Sequence, residues 1–231
     1  MTDAFIILGM HRSGTSCLTG CLAAYGLNLG NVSTFNQYNQ KGNQENHWVF
    51  RLNEAILKAH GGSWNQPPSS PLALSAEHQN RLLEVLAKYD QLPKPWGIKD
   101  PRMVLTYPLW QPHLPAHQLM GTFRHPLAVA ESLLSRDAFP VPLEQGLALW
   151  SIYNQRLLET HAKQAFPIIN FDEDETAYNQ KIASMAEQFG LALNESAPFF
   201  EAALRNQSQY GWAECPDALK PLYRQLLDQA I

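Results

Sequence analysis

"FIILGMHRSGTS", residues 5–16, runs an apolar strand directly into a glycine-bounded loop. Gly9 and Gly14 stand at the spacing of G-x-x-x-x-G-K-[ST], a loop whose backbone N–H groups cradle phosphate, but Thr15 occupies the place of the lysine that reaches the β- and γ-phosphates. A strand that turns through small residues into a helix aims several N–H groups and the positive helix end at one point, where an oxyanion is the natural occupant. Arg12 adds a full charge there, and Thr15 and Ser16 add hydroxyl donors. The stretch therefore predicts a strand–loop–helix opening and an anionic ligand held differently from ATP.

Working outward, apolar stretches at residues 4–9, 96–99, 117–123 and 166–171 read as buried parallel strands, each separated from the next by helical pattern. Helices are expected near 14–26, 45–60, 76–90, 126–137, 143–164, 176–190 and 216–229. The clearest is "RHPLAVAESLLSR", with Pro126 suited to a first helical position and Leu127, Ala130, Leu133 and Leu134 at helical spacing. Alternation without an internal repeat predicts an α/β fold. It has one central parallel sheet flanked by helices, a single domain over residues 1–231, and ligands at the carboxyl ends of its strands. Residues 26–43 and 60–75 are polar, rich in Gly, Pro, Asn and Ser, and longer than ordinary connections; binding loops and mobile surface connectors both fit them.

The composition narrows the function. Hydrophobic residues make up 45% of the 231, so a full core can form, while charged residues are only 16% and the formal net charge is -4. Bulk charge thus argues against nucleic-acid and anionic-membrane partners, and leaves any polyanion to a few placed cations. Cys17, Cys21 and Cys215 have neither disulfide nor metal spacing, Cys17 and Cys21 reading as core contacts, and His60, His78, His113 and His161 share no spacing that makes a metal site. The opening "AFIILGM" is too short for a signal-peptide core and lacks a basic leader, and no apolar run approaches a membrane span; the expected location is cytoplasmic. Oligomeric state is not legible.

A second element sharpens the ligand. An enzyme hydrolysing ATP or GTP shows an apolar strand ending in an aspartate for magnesium. Here "HQLMGTF" ends in Arg124 instead, and Ser132 lies eight residues on, almost two turns up the next helix, so both can face one anion. A cation in that place points to a phosphate ligand bound without metal.

Together, "GMHRSGTS" and the Arg124 and Ser132 pair resemble the sulfotransferases that use 3'-phosphoadenosine 5'-phosphosulfate (PAPS) and release 3'-phosphoadenosine 5'-phosphate (PAP). "GIKDPRM", residues 97–103, resembles that family's segment at the transferred sulfuryl group, in its bacterial Lys-Asp-Pro-Arg variant. The resemblance covers residues 5 to about 172. It implies a PAPS-dependent transfer to a hydroxyl acceptor, a carbohydrate or other small metabolite, with no metal required. Gly9, His11, Arg12, Ser13, Gly14, Thr15 and Ser16 would bind the cofactor's 5' end, Arg12 and Lys99 lying at the sulfuryl group; Arg124 and Ser132 would bind the 3'-phosphate. Phe171, in "NFDED", would take the place of a tyrosine at the adenine. Arg205 is a further 3'-phosphate candidate or a surface arginine, and Arg136, one turn past Ser132, could strengthen the same site or pair with the neighbours of Asp137.

A general base must take the acceptor's proton. "NQKGNQEN", residues 39–46, resembles the "NPKGFFE" stretch of bacterial members and aligns Glu45, a carboxylate at neutral pH and so able to accept. Asp100 and His47 are the other candidates; Asp100 could instead be an ion-pair partner that orders Lys99 and Arg102. Trp48 and Trp64 could line the acceptor pocket or simply pack. Two other readings stay open: a P-loop nucleotide kinase or NTPase, which the missing lysine opposes, and a nucleotide-binding module without turnover.

Overall fold

The structure, a computed structural model, describes residues 3–33, 42–136, 139–193 and 210–231. Strands β1 (Ala4–Leu8), β2 (Trp96–Lys99), β3 (His117–Phe123) and β4 (Ile168–Asn170) form one parallel sheet in the order β2-β1-β3-β4. Every residue of β1 is buried, as a strand covered on both faces requires. Its side chains divide by the period of two. Ala4, Ile6 and Leu8 enter one core with Ile98, Leu119, Phe123 and Ile168, while Phe5 and Ile7 enter the other with Met120 and Ile169. The second core is closed by helices α1 (Thr15–Ala24) and α7 (Glu175–Gln188). The first is closed by α2 (His47–Ala59), α3 (Ala76–Tyr89), α4 (Met103–Trp110), α5 (Pro126–Leu134), α6 (Leu143–Lys163) and α8 (Lys220–Gln229).

Parallel register brings the strand ends level: Ile7 pairs with Lys99, Leu8 with Gly121, and Phe123 with Asn170. The chain reverses its direction of travel through the sheet at β1, between β2 and β3, which opens the crevice where such sheets bind ligands. Loop residues cover both edges: Gly97 N donates to the Asn28 carbonyl (2.8 Å) beside β2, and Ile231 N to the Ile168 carbonyl (3.0 Å) beside β4.

The sequence pattern misses α4. "MVLTYPLW" is apolar on all sides and holds Pro108, so it shows neither a helical stripe nor freedom from helix breakers. What secures it is tertiary: the Asn53 side-chain oxygen accepts from both Thr106 Oγ1 and Trp110 Nε1 at 2.9 Å. The 60–75 stretch resolves into a pinned strap. Tyr153 Oη donates to the Trp64 carbonyl (2.8 Å), Gln145 Nε2 to the Asn65 carbonyl (2.9 Å), and Ala73 N to His60 Nε2 (3.0 Å). Among the described residues no helix is long and apolar enough to cross a membrane.

Candidate active site

Gly9 lets the loop between β1 and α1 leave the strand at close quarters, because a Cβ there would lie 2.7 Å from the Thr122 carbonyl oxygen. The loop then takes two left-handed residues, Arg12 at φ 67° and Gly14 at φ 87°. Glycine accepts that conformation freely; arginine does not, and such strain gathers at functional sites. Thr122 Oγ1 ties the loop down by donating to the Ser13 carbonyl (3.0 Å). A Cβ on Gly14 would meet the Phe171 ring at 2.3 Å, so Phe171 lies against the loop, with the Arg124 guanidinium 5.4 Å from its ring centre.

Lys99 ends β2 almost fully buried at 3% exposure, and its three ammonium hydrogens have three acceptors: Ser16 Oγ (3.1 Å), the Asn43 carbonyl (2.7 Å) and Glu45 Oε1 (2.8 Å). Glu45 reaches it through paired loop stems. Ser33 N donates to the Glu45 carbonyl (3.2 Å) and Gln44 N to the Ser33 carbonyl (3.0 Å), while Asn46 caps α2 by accepting from Trp48 N (2.9 Å). The Glu45 side chain keeps 16% exposure, whereas Asp100 is fully buried. Asp100 accepts from Arg102 N (2.8 Å) and lies 3.4 Å from the Arg102 guanidinium, whose Nε pairs with Glu54. Burial raises the Asp100 carboxyl above the ordinary range, against the pull of Arg102. His47 is exposed and lies edge-on to Trp48, and Trp48 in turn carries Lys88 over its ring.

The other cations gather around the ends of β1 and β3. Arg12 Nε donates to Ser132 Oγ at 2.6 Å, joining the loop to α5. Arg124, 3% exposed, donates through Nε to Asp172 Oδ1 (3.0 Å), while its Nη2 is buried with no hydrogen-bond partner among the described residues. Burial first, then the charges of Arg136 and Arg124, lowers Arg12 to about 10. Ser13 Oγ and His11 Nε2 are likewise buried without partners. The His11 ring packs 4.6 Å from Trp64 and 6.0 Å from Tyr153, and Arg136 covers Trp64 at 5.2 Å. Burial, with Arg102, Arg136, Lys99 and Arg12 around it, holds His11 well below the ordinary imidazole value and therefore neutral.

The structure thus brings His11, Arg12, Ser13, Gly14, Ser16, Glu45, Lys99, Arg124, Ser132 and Phe171 to the strand ends, with Asp100 beneath them. Ser132 contacts Arg12, and Arg124 is held by Asp172. Thr15 is buried at the start of α1. Cys17 and Cys21 pack with the second core, and Arg205 lies outside the described residues. Sequence reasoning missed the Asn43 carbonyl, which no side-chain pattern reveals, and Asp172, whose signal was an acid directly after a strand, in "NFDED".

No family model matches the sequence, and no curated protein matches it. Among solved structures, the sulfotransferase domain of the olefin synthase of Synechococcus PCC 7002 is similar over 98% of this chain and 88% of that one, with a TM-score of 0.54 and 14% sequence identity. At that identity the likeness is one of fold, and the chain has a sulfotransferase-like α/β fold with a glycine-bounded loop between its first strand and first helix.

Proposed function

We propose that the protein transfers the sulfuryl group of PAPS to a hydroxyl acceptor, a carbohydrate or another small metabolite. The observation that carries this reading is the buried cation cluster. Arg12 is held down to about 10 by burial and by Arg136 and Arg124, and Arg124 keeps a buried Nη2 without a partner. Unpaired buried donors are costly and call for an explanation, which an anion at this point supplies. The orphaned Ser13 Oγ, the loop N–H groups and the Phe171 ring against Gly14 fit a nucleotide phosphate on the loop and a base beside it.

In this reading Arg124 binds the 3'-phosphate with Ser132, and the loop and Thr15 and Ser16 bind the 5'-phosphate. Arg12 and Lys99 offset the charge that grows on the leaving 5'-phosphate oxygen. Glu45, the accessible acid beside Lys99, takes the acceptor's proton as the new O–S bond forms and the S–O bond to the 5'-phosphate breaks. PAPS supplies the activated sulfuryl group; the chain binds, orients and accepts a proton.

Thermal shift with PAP, AMP, ADP and ATP with magnesium tests the reading. PAP alone is expected to stabilise by about 2.7 kcal/mol at a hundred times its dissociation constant, and AMP by far less. Equal shifts with AMP and PAP would remove the 3'-phosphate site, and a larger shift with magnesium ATP would favour the kinase class.

A further inference from the structure

Asp172 follows β4 and pairs with Arg124. Its two oxygens do separate work. Oδ1 accepts from Arg124 Nε at 3.0 Å, and Oδ2 accepts from the backbone N of His125 at 2.6 Å. Asp172 is itself set by a turn in which its N–H donates to Asn170 Oδ1 (3.0 Å). The Arg124 side chain is therefore gripped along its Nε edge by a carboxylate fixed to the start of α5. Nη2 is left buried and uncommitted.

We propose that Asp172 is a positioning residue that sets the preference for a 3'-phosphate over a 3'-hydroxyl by holding Arg124 with Nη2 presented to the phosphate. The inference rests on the PAPS reading above. Two effects of Asp172 oppose each other. Its charge repels a nearby phosphate, while its grip removes the rotamer freedom that an unheld arginine would lose on binding. Both of its oxygens already have donors, one of them a guanidinium, so its charge is largely spent locally and the grip prevails. A nucleotide with a plain 3'-hydroxyl leaves Nη2 without its anion and gains little from the arrangement.

The test is calorimetric binding of PAP and AMP to the full chain and to Asp172→Ala and Asp172→Asn. A charge-assisted hydrogen bond corresponds to about tenfold or more in affinity. Asp172→Ala is therefore expected to weaken PAP about tenfold and AMP less than about twofold, lowering the PAP-to-AMP ratio about tenfold. Asp172→Asn keeps one acceptor oxygen and size, and falls between; it decides the matter if the alanine variant does not fold. A merely structural residue would weaken both nucleotides alike, which overturns the proposal, as does an unchanged ratio. Tighter PAP binding in either variant would make Asp172 a competitor of the phosphate, and also overturns it. A wild-type chain that binds PAP no better than AMP defeats the PAPS reading itself, and this inference with it.

Discussion

Lys99 closes β2 and Arg124 directly follows β3, the two strands that flank β1, and each is 3% exposed, yet the protein treats them oppositely. Lys99 has an acceptor for each ammonium hydrogen, one of them the Glu45 carboxylate. Arg124 has a carboxylate on one edge and a buried Nη2 with no hydrogen-bond partner among the described residues. A ligand at Lys99 must exchange for contacts already made, so binding there gains little. A ligand at Arg124 relieves an unpaired donor, which costs about 1–3 kcal/mol while it lasts. In the proposed reaction the division is sensible: affinity belongs to the part of the cofactor that does not react, leaving the contacts at the reacting end to strengthen as charge develops.

The strongest way to break this comparison is at Glu45. If Glu45 is the base, Glu45→Gln lowers turnover about 10²–10⁴-fold while PAP affinity stays close to wild type. If instead it only neutralises Lys99, acceptor-dependent turnover persists. Asp100→Asn is the companion variant. Asp100 is fully buried against Arg102, so its loss is expected to lower the urea midpoint for unfolding, whereas Glu45→Gln is expected to leave that midpoint nearly unchanged. PAP release from PAPS, with water or a panel of hydroxyl compounds as acceptor, supplies the rate. Undiminished acceptor-dependent turnover in Glu45→Gln with loss in Asp100→Asn would move the base to Asp100.

The next effect lies at the other cation. Arg124→Ala is expected to cost PAP about 2–5 kcal/mol of binding, since a desolvated phosphate loses its charged partner. Ser132→Ala is expected to cost less, about 1.5–3 kcal/mol if the hydroxyl donates to the same phosphate. Ser132 Oγ now accepts from Arg12, so its variant also tests whether that contact gives way when nucleotide binds. Wild-type PAP affinity in both variants would put the phosphate elsewhere.

Most of the fold was legible because its signals are local. The four strands are short apolar runs, and α5 opens on Pro126 with a regular apolar stripe. Helix α4 was not, because an all-round apolar octet with Pro108 has no stripe to read. Around the site, the loop and Arg124 announced themselves by position at strand ends, and Lys99 by the resemblance of "GIKDPRM" to the sulfotransferases' segment. Their partners did not. Asp172 grips Arg124 across 48 residues of sequence, and the Asn43 carbonyl meets Lys99 across 56. Such contacts follow from how the strands lie side by side, which periodicity within one segment does not encode. His11 was legible as a loop residue, but its orphaned Nε2 and its place against Trp64 depend on the strap that Tyr153 pins.

The smallest predicted effect sharpens the comparison at His11, a loop residue that feels Lys99 and Arg12. Its imidazole is held neutral by burial and by Arg102, Arg136, Lys99 and Arg12, whereas in the unfolded chain it titrates near about 6.5. Below that pH the unfolded state binds a proton that the folded state refuses, so stability falls as pH drops from about 6.5 toward the depressed folded value, by at most about 1.4 kcal/mol per pH unit. Above about 6.5 both states are neutral and the residue contributes no slope. Other groups titrate in the same window, including His125, which burial also lowers, so the quantity to measure is a difference. Urea midpoints of wild type and His11→Gln, taken at intervals from pH 8 to pH 5, are expected to run parallel above about 6.5 and to diverge below it, the variant losing less. Adding PAP brings negative charge among the same four cations and raises the folded imidazole value, so the divergence is expected to narrow when the nucleotide is bound. Curves parallel throughout would mean that His11 is not held neutral. A divergence unmoved by PAP would place the bound phosphates away from Arg12 and Lys99, leaving Arg124 as the cation they engage.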